Sequence, residues 1–449
     1  MTLSPLQGAA RLADRRGRVL LHAGRDDDGL GRWSFATMEP QATLIARGRS
    51  LVVLGPDGRP VRRFTADPFE AAEAFLAEHG CTFTPSTGAA PCPRVIGYFG
   101  YDLARVIEQL PGGPDVGADT PDLWLGAYGA VARWRGTDEH EVVGEDPAAC
   151  ARLTAALATA PRPSLPPSLG ELIADDPPDH HIARVERIRD YLVAGDVYQV
   201  NLARRLVSRI HAPGDALAVY AALEQVAPAP YGALIEADGV TLISGSPERF
   251  LARIGDRIET RPIKGTARRT PGTDAGASEL AASTKDAAEH LMIVDLERND
   301  LGRIAETGSV IVDELGYVVE LPALYHKVSR VSARPRPGVG YAELLRATFP
   351  GGSITGAPKV RAMQLIDELE PARRGPYCGA LGYFGADGGF DLAIAIRIGV
   401  ITSHELRVHV GGGIVADSDP AAELAETETK ALGWMAAIEA LRELRDRPR

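Results

Sequence analysis

Cysteine is scarce in this sequence, which has four in 449 residues. They are Cys81, Cys92, Cys150 and Cys378, and no two of them form a C-x-x-C pair. The spacing that zinc ribbons and thioredoxin-like redox sites require is therefore missing. So few cysteines in a chain of this length also exclude a disulfide framework as the source of the fold.

Long apolar runs and an excess of positive charge are missing too. No apolar run approaches the ~18 residues that a membrane-spanning helix needs, and residues 1–20 lack the apolar centre of a secretory signal. The 49 Lys and Arg residues are outnumbered by 60 Asp and Glu, so the net charge is −11. This balance argues against nucleic acid as the main partner. We therefore expect a cytoplasmic globular protein without a membrane partner, in which an anionic substrate would need a local cation such as a metal ion.

Prolines are concentrated in segment 161–179, which holds six of them. Their fixed φ and missing N–H disfavour both helix and strand. We predict that this segment connects an N-terminal region, residues 1–160, to a second region, residues 180–449, within one intertwined unit rather than between separate domains.

Hydrophobic periodicity predicts a mixture of helices and strands. Helices are predicted at 67–78, at 147–158 and at 181–194, where Gly195 fits a left-handed C-terminal position. Strand-like runs occur at 18–21, 43–45, 51–54, 95–99, 124–134, 234–236, 241–244 and 250–254. Several of them are spaced as hairpins, and strand and helix do not alternate regularly. The pattern favours an α+β fold with mostly antiparallel sheets over a doubly wound fold.

Two glycine-rich stretches could bring backbone close to an anion. The sequence GGSITGAPK (351–359) looks like a phosphate loop but lacks the Gly-Lys-Ser/Thr ending. Pro358 instead fits the first turn of a helix that continues to Leu369. The three glycines 411–413 follow a strand-like run and do not form a dinucleotide fingerprint. They permit either a tight turn or close approach to an anion.

Two acidic helical patterns carry paired carboxylates. Glu423, Glu426 and Lys430 fall on one face of a helix, and Asp286 and Glu289 share a face of another. Two such pairs could converge on a hard divalent cation with water completing its shell. Two solvated acidic faces are the alternative reading.

Glu248 and Lys264 lie close together in the sequence, in SPERF (246–250) and RPIKGT (261–266). The strand-to-turn context of Lys264 suggests partial burial. Burial lowers the pKa of a lysine and can free its amine as a nucleophile. Burial also raises the pKa of a glutamic acid and lets it act as a general acid.

In combination, these segments resemble the chorismate-utilising enzymes, and within that family the aminodeoxychorismate synthase branch. The matching segments are GDVYQVNL (195–202), SPERF (246–250), RPIKGT (261–266), KDAAEHLMIVDLERNDLGRIA (285–305), FPGGSITGAPKVRAMQLIDELEP (349–371), YCGALGYF (377–384), DLAIAIR (391–397) and GGGIVADSDPAAELAETETKAL (411–432). The match is strong over residues 181–440 and weak in the N-terminal region. The resemblance implies a large α/β/β/α sandwich of mostly antiparallel sheets with helices on the outside, and Mg²⁺ and chorismate between the sheets.

The resemblance also assigns roles to individual residues, position by position. The implied Mg²⁺ ligands are Glu289 and Glu426, assisted by Glu423 and Asp286. The implied substrate-binding residues are Thr266, Tyr377, Arg397, Gly411, Gly412, Gly413 and Lys430. The implied catalytic residues are Lys264, Glu248 and His326.

Two positions distinguish the branches of the family. Isochorismate and salicylate synthases carry a water-activating Lys where Gln199 stands, so ammonia is the expected nucleophile. Anthranilate synthases usually have Ala in place of Lys264. The resemblance implies that Lys264 adds to C2 of chorismate while Glu248 protonates the departing C4 hydroxyl, and that ammonia then displaces Lys264 by attacking C4.

The implied product is 4-amino-4-deoxychorismate, a step towards 4-aminobenzoate and folate. Anthranilate synthase component I, which aminates C2 with loss of pyruvate, is the enzyme alternative. A degenerate regulatory homologue is the non-enzyme alternative. No cysteine stands in a nucleophile-elbow setting, so a separate glutamine amidotransferase subunit, in a heterodimer, is the implied source of ammonia.

The family's N-terminal region can hold tryptophan, and part of this chain loosely resembles that pocket. The residues concerned are Arg32, Trp33, Pro230, Tyr231 and Gly232. Ala23 stands where a Ser is expected, and the Leu-Leu-Glu-Ser feedback motif is missing. We therefore expect Trp33 to pack in the core rather than to serve tryptophan regulation.

Overall fold

The helices of the computed structural model begin where the sequence offers caps. The description covers residues 3–24, 29–30, 32–114, 116–136, 139–161, 164–269, 273–320 and 324–446, without the side chains at 268, 284–286, 324 and 446. The described α-helices are α1 (Pro5–Arg11), α2 (Pro68–Glu78), α3 (Ala104–Ile107), α4 (Pro147–Ala158), α5 (Pro178–Ala194), α6 (Ala216–Val226), α7 (Ala275–Ala282), α8 (Thr284–Gly302), α9 (Tyr341–Thr348), α10 (Lys359–Leu369) and α11 (Pro420–Asp446).

Aspartate followed by proline starts two of these helices. Asp67 accepts hydrogen bonds from the N–H groups of the first turn of α2, and Asp146 does the same for α4. Each proline occupies the first turn, where no N–H is needed. At the other end of α5, Gly195 has φ +82°, a left-handed conformation that glycine adopts without strain.

The described strands are short and numerous. They are β1 (Val19–His22), β2 (Trp33–Thr37), β3 (Ala42–Arg47), β4 (Ser50–Leu54), β5 (Pro60–Thr65), β6 (Pro93–Phe99), β7 (Leu123–Ala127), β8 (Val131–Arg135), β9 (His140–Val143), β10 (Ser168–Leu169), β11 (Ile173–Ala174), β12 (Gln199–Ala212), β13 (Tyr231–Ala237), β14 (Val240–Ser246), β15 (Arg249–Ile254), β16 (Arg257–Arg261), β17 (Ile263–Arg268), β18 (Ile311–Glu320), β19 (Leu324–Ala333), β20 (Gly356–Ala357), β21 (Ala380–Gly385), β22 (Phe390–Ile394), β23 (Ile398–Ile401) and β24 (Glu405–Ile414).

The described strands form two sheets whose pairings are antiparallel. The first sheet has the order β10-β12-β24-β23-β14-β13-β1-β2-β8-β9, with β11 and β20 also paired to β12. The second has the order β17-β19-β16-β15-β22-β21-β6-β7-β3-β4-β5, with β18 paired to β19. N-terminal and C-terminal strands are neighbours in both sheets, because β1 pairs with β13 and β6 with β21. The N-terminal region therefore contributes to the same two sheets as the rest of the chain.

Helices cover the outer faces of both sheets. Helices α5, α6 and α11 pack on the first sheet, while α7 and α8 pack on the second. A large apolar cluster joins side chains from both sheets, for example Phe35 with Tyr98. A second cluster, around Trp134 and Trp434, lies between the first sheet and its helices. The predicted α+β sandwich with helices on the outside is confirmed.

Three local predictions were wrong. Residues 124–134 form two strands, β7 and β8, that belong to different sheets. Segment 161–179 contributes the two-residue strands β10 and β11 and the start of α5, so its prolines did not exclude short strands at the edge of β12. Pro358 is the residue before α10 rather than its first residue. No described helix is long and apolar enough to span a membrane.

Candidate active site

The candidate site is built where β12 and β24 lie side by side. In this antiparallel pair, Asn201 lies opposite Gly413, Leu202 opposite Gly412 and Ala203 opposite Gly411. The three glycines are therefore part of a strand, and the tight-turn alternative is wrong. A Cβ on Gly411 would lie 2.6 Å from the carbonyl oxygen of Leu202, so the close pairing of these strands requires glycine there.

Helix α11 brings two carboxylates against this glycine strand. A Cβ on Gly412 would lie 3.2 Å from Glu426 Oε1 and 3.3 Å from Glu423 Oε2. Ser418 Oγ donates a 2.5 Å hydrogen bond to Glu423 Oε1. Lys430 Nζ lies 2.7 Å from Glu426 Oε1 and donates to the carbonyl oxygen of Gly411 at 2.7 Å. The helical face predicted from the spacing is thus turned towards the glycines.

Helix α8 carries a further acidic residue, Glu289. The charges of Glu289, on α8, and of Glu426, on α11, both raise the pKa of the Lys264 amine. Asp286 is predicted to assist Glu289, but its side chain lies outside the described residues. Among the described residues, no group of three or more His, Cys, Asp or Glu side chains is close enough to form a metal site by itself. Ligands from substrate and water would therefore be needed to complete one.

Glu248 is a buried carboxylic acid that immediately precedes β15. It is 4% exposed, and Oε1 accepts a 2.7 Å hydrogen bond from Ser353 Oγ. Burial raises the pKa of Glu248 to about 7, although Ser353 and the positive charges of Lys264 and Arg397 oppose the shift. Near neutral pH this side chain can hold and release a proton, as a general acid must.

Lys264 follows the first residue of β17 and is half-buried. A Cβ on Gly413 would lie 3.6 Å from Lys264 Nζ, so the amine faces the glycine strand. Burial lowers the pKa of this amine, and the charge of Lys430 lowers it further, while Glu248, Glu289 and Glu426 act in the opposite direction. The lowered pKa increases the fraction of neutral, nucleophilic amine.

His326 and Thr266 face each other across β17 and β19. Their Cα atoms are register partners, and His326 Nδ1 lies 3.1 Å from Thr266 Oγ1. The hydroxyl orients the imidazole of His326, which is 5% exposed. The two residues that the sequence predicts near the substrate ring therefore form one hydrogen-bonded unit.

Arg397 and Tyr377, the two predicted partners of a substrate carboxylate, differ in exposure to solvent. Arg397 is solvent-accessible and has φ +50°, an uncommon conformation for a residue other than glycine. Partial loss of hydration lowers the pKa of Arg397, and the nearby charge of Glu248 opposes this shift. Tyr377 is buried and stacks on His409, with ring centroids 5.2 Å apart.

The five residues of the predicted tryptophan pocket line one cavity. Its volume is about 190 Å³, and His22, Phe35, Arg249, Tyr383 and Asp391 contribute to its wall. Trp33 is half-buried and also packs against the large apolar cluster. Trp33 therefore packs against the edge of the core and borders the cavity at the same time, and the expectation that it does not serve tryptophan regulation stays a prediction.

Sequence reasoning missed the residues that hold the site in place. Ser353 donates a hydrogen bond to Glu248, from which it is 105 residues distant in the sequence. Arg374 is fully buried, pairs with Glu370 at 2.7 Å, and donates to the carbonyl oxygens of Ile354 and Asn201. Both residues lie within or just after segments that resemble the family, but their partners are distant in the sequence.

The sequence and the fold have known relatives over most of the chain. The model of a family described as chorismate binding enzyme matches residues 26–435. Aminodeoxychorismate synthase component 1 of Klebsiella aerogenes is 40% identical over 428 residues, covering 92% of this chain and 91% of that protein. Anthranilate synthase component 1 1 of Haloarcula marismortui is 39% identical over 376 residues, covering 78% and 76%. The crystal structure of anthranilate synthase component I from Streptococcus pneumoniae TIGR4 matches with a TM-score of 0.76 and 30% identity, covering 90% and 92%.

Proposed function

The chain belongs to the family of chorismate-binding enzymes, and on this premise we propose that it aminates chorismate at C4 to give 4-amino-4-deoxychorismate. This step leads towards 4-aminobenzoate. The relative with 40% identity along nearly the whole chain carries the name of that activity. The fold of the anthranilate synthase structure is compatible with either amination and does not choose between them.

The observation that carries the proposal is the opposite pKa shift of two neighbouring groups. Glu248 has its pKa raised to about 7, while the pKa of Lys264 is lowered. One group can therefore donate a proton near neutral pH while the other offers a lone pair. Groups whose pKa values are strongly shifted by burial and by a neighbouring charge are concentrated at active sites.

The first half of the reaction removes the C4 hydroxyl. The Lys264 amine forms a bond to C2, both ring double bonds shift by one position, and the C4–O bond breaks. Glu248 transfers its proton to the departing oxygen, which leaves as water, and the Glu248 carboxylate remains. Ser353 and the positive charge of Arg397 stabilise this carboxylate.

The second half returns both protein groups to their starting states. Ammonia forms a bond to C4, both ring double bonds shift back, and the C2–N bond breaks to release the Lys264 amine. The nitrogen now on C4 passes one proton to the Glu248 carboxylate. The net change replaces OH by NH₂ and releases one water, and the enolpyruvyl group is retained.

The donor set of the cleft fits Mg²⁺, because Glu289, Glu423 and Glu426 offer hard carboxylate oxygens. Asp286 is proposed to assist them. When bound, Mg²⁺ would offset the negative charge of the substrate's ring carboxylate. Lys430 and the backbone at Gly411–413 are proposed to contact the same carboxylate. Arg397 and Tyr377 are proposed as partners of the other one, and Thr266 with His326 as neighbours of the C4 hydroxyl.

The ammonia is proposed to come from a separate glutamine amidotransferase component. The relatives are named component 1, which supports the existence of a second component. The four cysteines of this chain do not stand in the setting of a glutaminase nucleophile. Free ammonia should replace the second component when enough of it is unprotonated.

Product identification tests the proposal directly. The purified protein is incubated with chorismate, Mg²⁺ and ammonium chloride above pH 8, and the products are analysed by mass spectrometry. We expect a product that differs from chorismate by replacement of OH with NH₂ and keeps the enolpyruvyl group. Lys264→Ala, prepared in the same way, is the matched control for contaminating activity.

A different product would identify the alternative. Fluorescent anthranilate and free pyruvate, formed without any added lyase, would assign the chain to C2 amination. No turnover combined with no binding of chorismate in the presence of Mg²⁺ would favour a regulatory homologue. Either result contradicts the proposed function.

A further inference from the structure

Tyr101 is a buried tyrosine of the N-terminal region that no predicted role uses. It lies in a short helical turn, Tyr101–Leu103, and is 4% exposed. Its hydroxyl oxygen has no hydrogen-bond partner among the described residues. The position of this side chain therefore depends on what its ring contacts, not on its hydroxyl group.

The ring of Tyr101 lies against the guanidinium group of Arg374. The central carbon of this group is 4.6 Å from the centroid of the Tyr101 ring and 5.8 Å from the centroid of the Tyr377 ring. Both distances are within the range of a cation–π contact. Tyr377 also stacks on His409, with an angle of 14° between the ring planes. The four side chains thus contact one another in series, from the N-terminal region to β24.

Arg374 is held rigidly within this series. Its Nε and Nη2 donate to the two carboxylate oxygens of Glu370 at 2.9 and 2.7 Å, and its Nη1 donates to the carbonyl oxygen of Ile354 at 2.9 Å. The N–H donors lie in the plane of the guanidinium group, so its faces remain available to aromatic rings. Because Arg374 is 2% exposed, water does not weaken its attraction to those rings.

Backbone hydrogen bonds join Tyr101 to the turn that carries Tyr377. The N–H of Tyr101 donates to the carbonyl oxygen of Gly375 at 2.7 Å, and the N–H of Gly375 donates to Asp102 Oδ2 at 2.9 Å. The N–H of Tyr377 donates to the carbonyl oxygen of Arg374 at 3.1 Å. None of these bonds uses the side chain of Tyr101, so a substitution there tests the ring alone.

Tyr377 is the end of this series that matters for the substrate, because it is proposed to bind one carboxylate of chorismate. We infer that Tyr101 is a positioning residue for Tyr377: acting through Arg374, its ring fixes the orientation in which the Tyr377 hydroxyl meets that carboxylate. The inference rests on the proposed function. It gives the N-terminal region a part in binding chorismate.

Steady-state kinetics with chorismate as the varied substrate and saturating ammonium chloride test the role of the ring. In Tyr101→Leu we expect the KM for chorismate to rise about fivefold with little change in kcat, because a carboxylate contact away from the reacting carbons holds substrate and transition state alike. Tyr101→Phe keeps the ring and removes only a hydroxyl without a partner, so its KM should stay within about twofold of wild type.

A double-mutant cycle separates positioning from a general loss of stability. Tyr377→Phe should raise the KM for chorismate about tenfold, the effect of one hydrogen bond to a charged group. In that background Tyr101→Leu should add less than about twofold, because no hydroxyl remains to be positioned. Phe75→Leu, which removes a buried ring from α2, is the matched control and should lower the unfolding temperature without changing the KM.

Three results would overturn the inference. They are a KM within about twofold of wild type in folded Tyr101→Leu, a KM as high in Tyr101→Phe as in Tyr101→Leu, and single effects that multiply in the double variant. If Tyr101→Leu does not fold, Tyr101→Met takes its place, and if neither folds, Tyr101 is a structural residue and the inference fails. A wild-type protein that makes no aminated product refutes the proposed function instead, before any variant is compared.

Discussion

At the scale of single residues, the site depends on moving two ordinary pKa values towards each other. A free glutamate and a free lysine differ by about six pKa units. Burial raises the pKa of Glu248 and lowers that of Lys264, because it penalises the charged form of each. Mutual attraction of the two charged forms opposes both shifts. For Glu248 the effect of burial on the pKa is larger than the effect of the neighbouring charges, because the side chain is nearly inaccessible to solvent.

The role of Lys264 as a nucleophile predicts a large effect of its removal. Lys264→Ala should lose most of the formation of 4-amino-4-deoxychorismate, by about 10² or more in kcat, because the covalent route to C2 is no longer available. Lys264→Arg should be equally inactive, since arginine stays protonated. An unchanged kcat/KM in Lys264→Ala would mean that ammonia attacks C4 directly.

The pKa of Glu248 predicts the alkaline limit of the reaction. Glu248 must be protonated to act as an acid, so its active fraction falls as pH rises through about 7. We expect kcat/KM for chorismate, measured at constant free ammonia, to fall about tenfold per pH unit only above the pKa values of both groups, because the neutral fraction of the Lys264 amine rises while the protonated fraction of Glu248 falls. Glu248→Gln should be nearly inactive and should lack this fall. A wild-type profile that rises and then never falls at alkaline pH would assign the acid to another group.

At the scale of elements, the glycine strand, residues 411–413 of β24, packs closely against helix α11. Each glycine of 411–413 has a different reason to lack a side chain: Gly411 meets backbone, Gly412 meets two carboxylates, and Gly413 meets Gln199. Gly412 thus faces the carboxylates of α11, while Gly413 faces Gln199 and the Lys264 amine on the other side of the strand. Alternation along a strand is what allows three consecutive residues to serve both.

Gly412→Ala tests the contact between this strand and the carboxylates. The new methyl group would press against Glu426 and Glu423 at 3.2 and 3.3 Å, and their flexible ends should shift by a few tenths of an ångström without unfolding the chain. We expect the Mg²⁺ concentration for half-maximal activity to rise severalfold, with little change in the unfolding temperature. Magnesium titrations of the activity measure this directly.

The control for that substitution lies in α11 itself. A Cβ on Gly433 would make an ordinary 3.5 Å contact with Ala227, so Gly433→Ala should keep the magnesium dependence and stabilise the helix by roughly 0.5–1 kcal/mol. An unchanged magnesium dependence in Gly412→Ala would mean that Glu423 and Glu426 do not bind the metal.

At the scale of the whole molecule, polar groups buried between layers make stability depend on pH. His181 at the start of α5 is 1% exposed, and neither ring nitrogen has a partner among the described residues. Burial and the charges of Arg204 and Arg184 lower the pKa of His181 to about 4. The unfolded chain binds a proton there below about pH 6.5, so this residue destabilises the fold increasingly as pH falls from 6.5 towards 4.

His181→Leu should therefore stabilise the protein, and more so in acid. The gain over wild type should grow by about 2 kcal/mol between pH 7 and pH 5. Urea unfolding at the two pH values measures it. His404→Leu, at an exposed turn, should show no such growth. A gain that is equal at both pH values would mean that His181 is already protonated or solvated in the folded chain.

The sequence by itself determined the local structure and indicated which residues belong to the candidate site. Aspartate–proline caps, Gly195 and the acidic spacing on α8 and α11 act over a few residues, so their effects can be read from one-dimensional order. The α+β class follows from such patterns together with the family segments. The sandwich arrangement, in contrast, was implied by the resemblance rather than by the patterns themselves.

Only the tertiary structure decided which groups meet. Antiparallel register places Asn201 opposite Gly413, and the hydroxyl of Ser353 reaches Glu248 across 105 positions. The split of 124–134 between two sheets and the cavity beside Trp33 also depend on distant packing. Periodicity reports which face of an element is apolar, but not which other element covers it. That choice depends on the summed packing of both sheets, because each buried polar group must find its partner wherever the fold brings one.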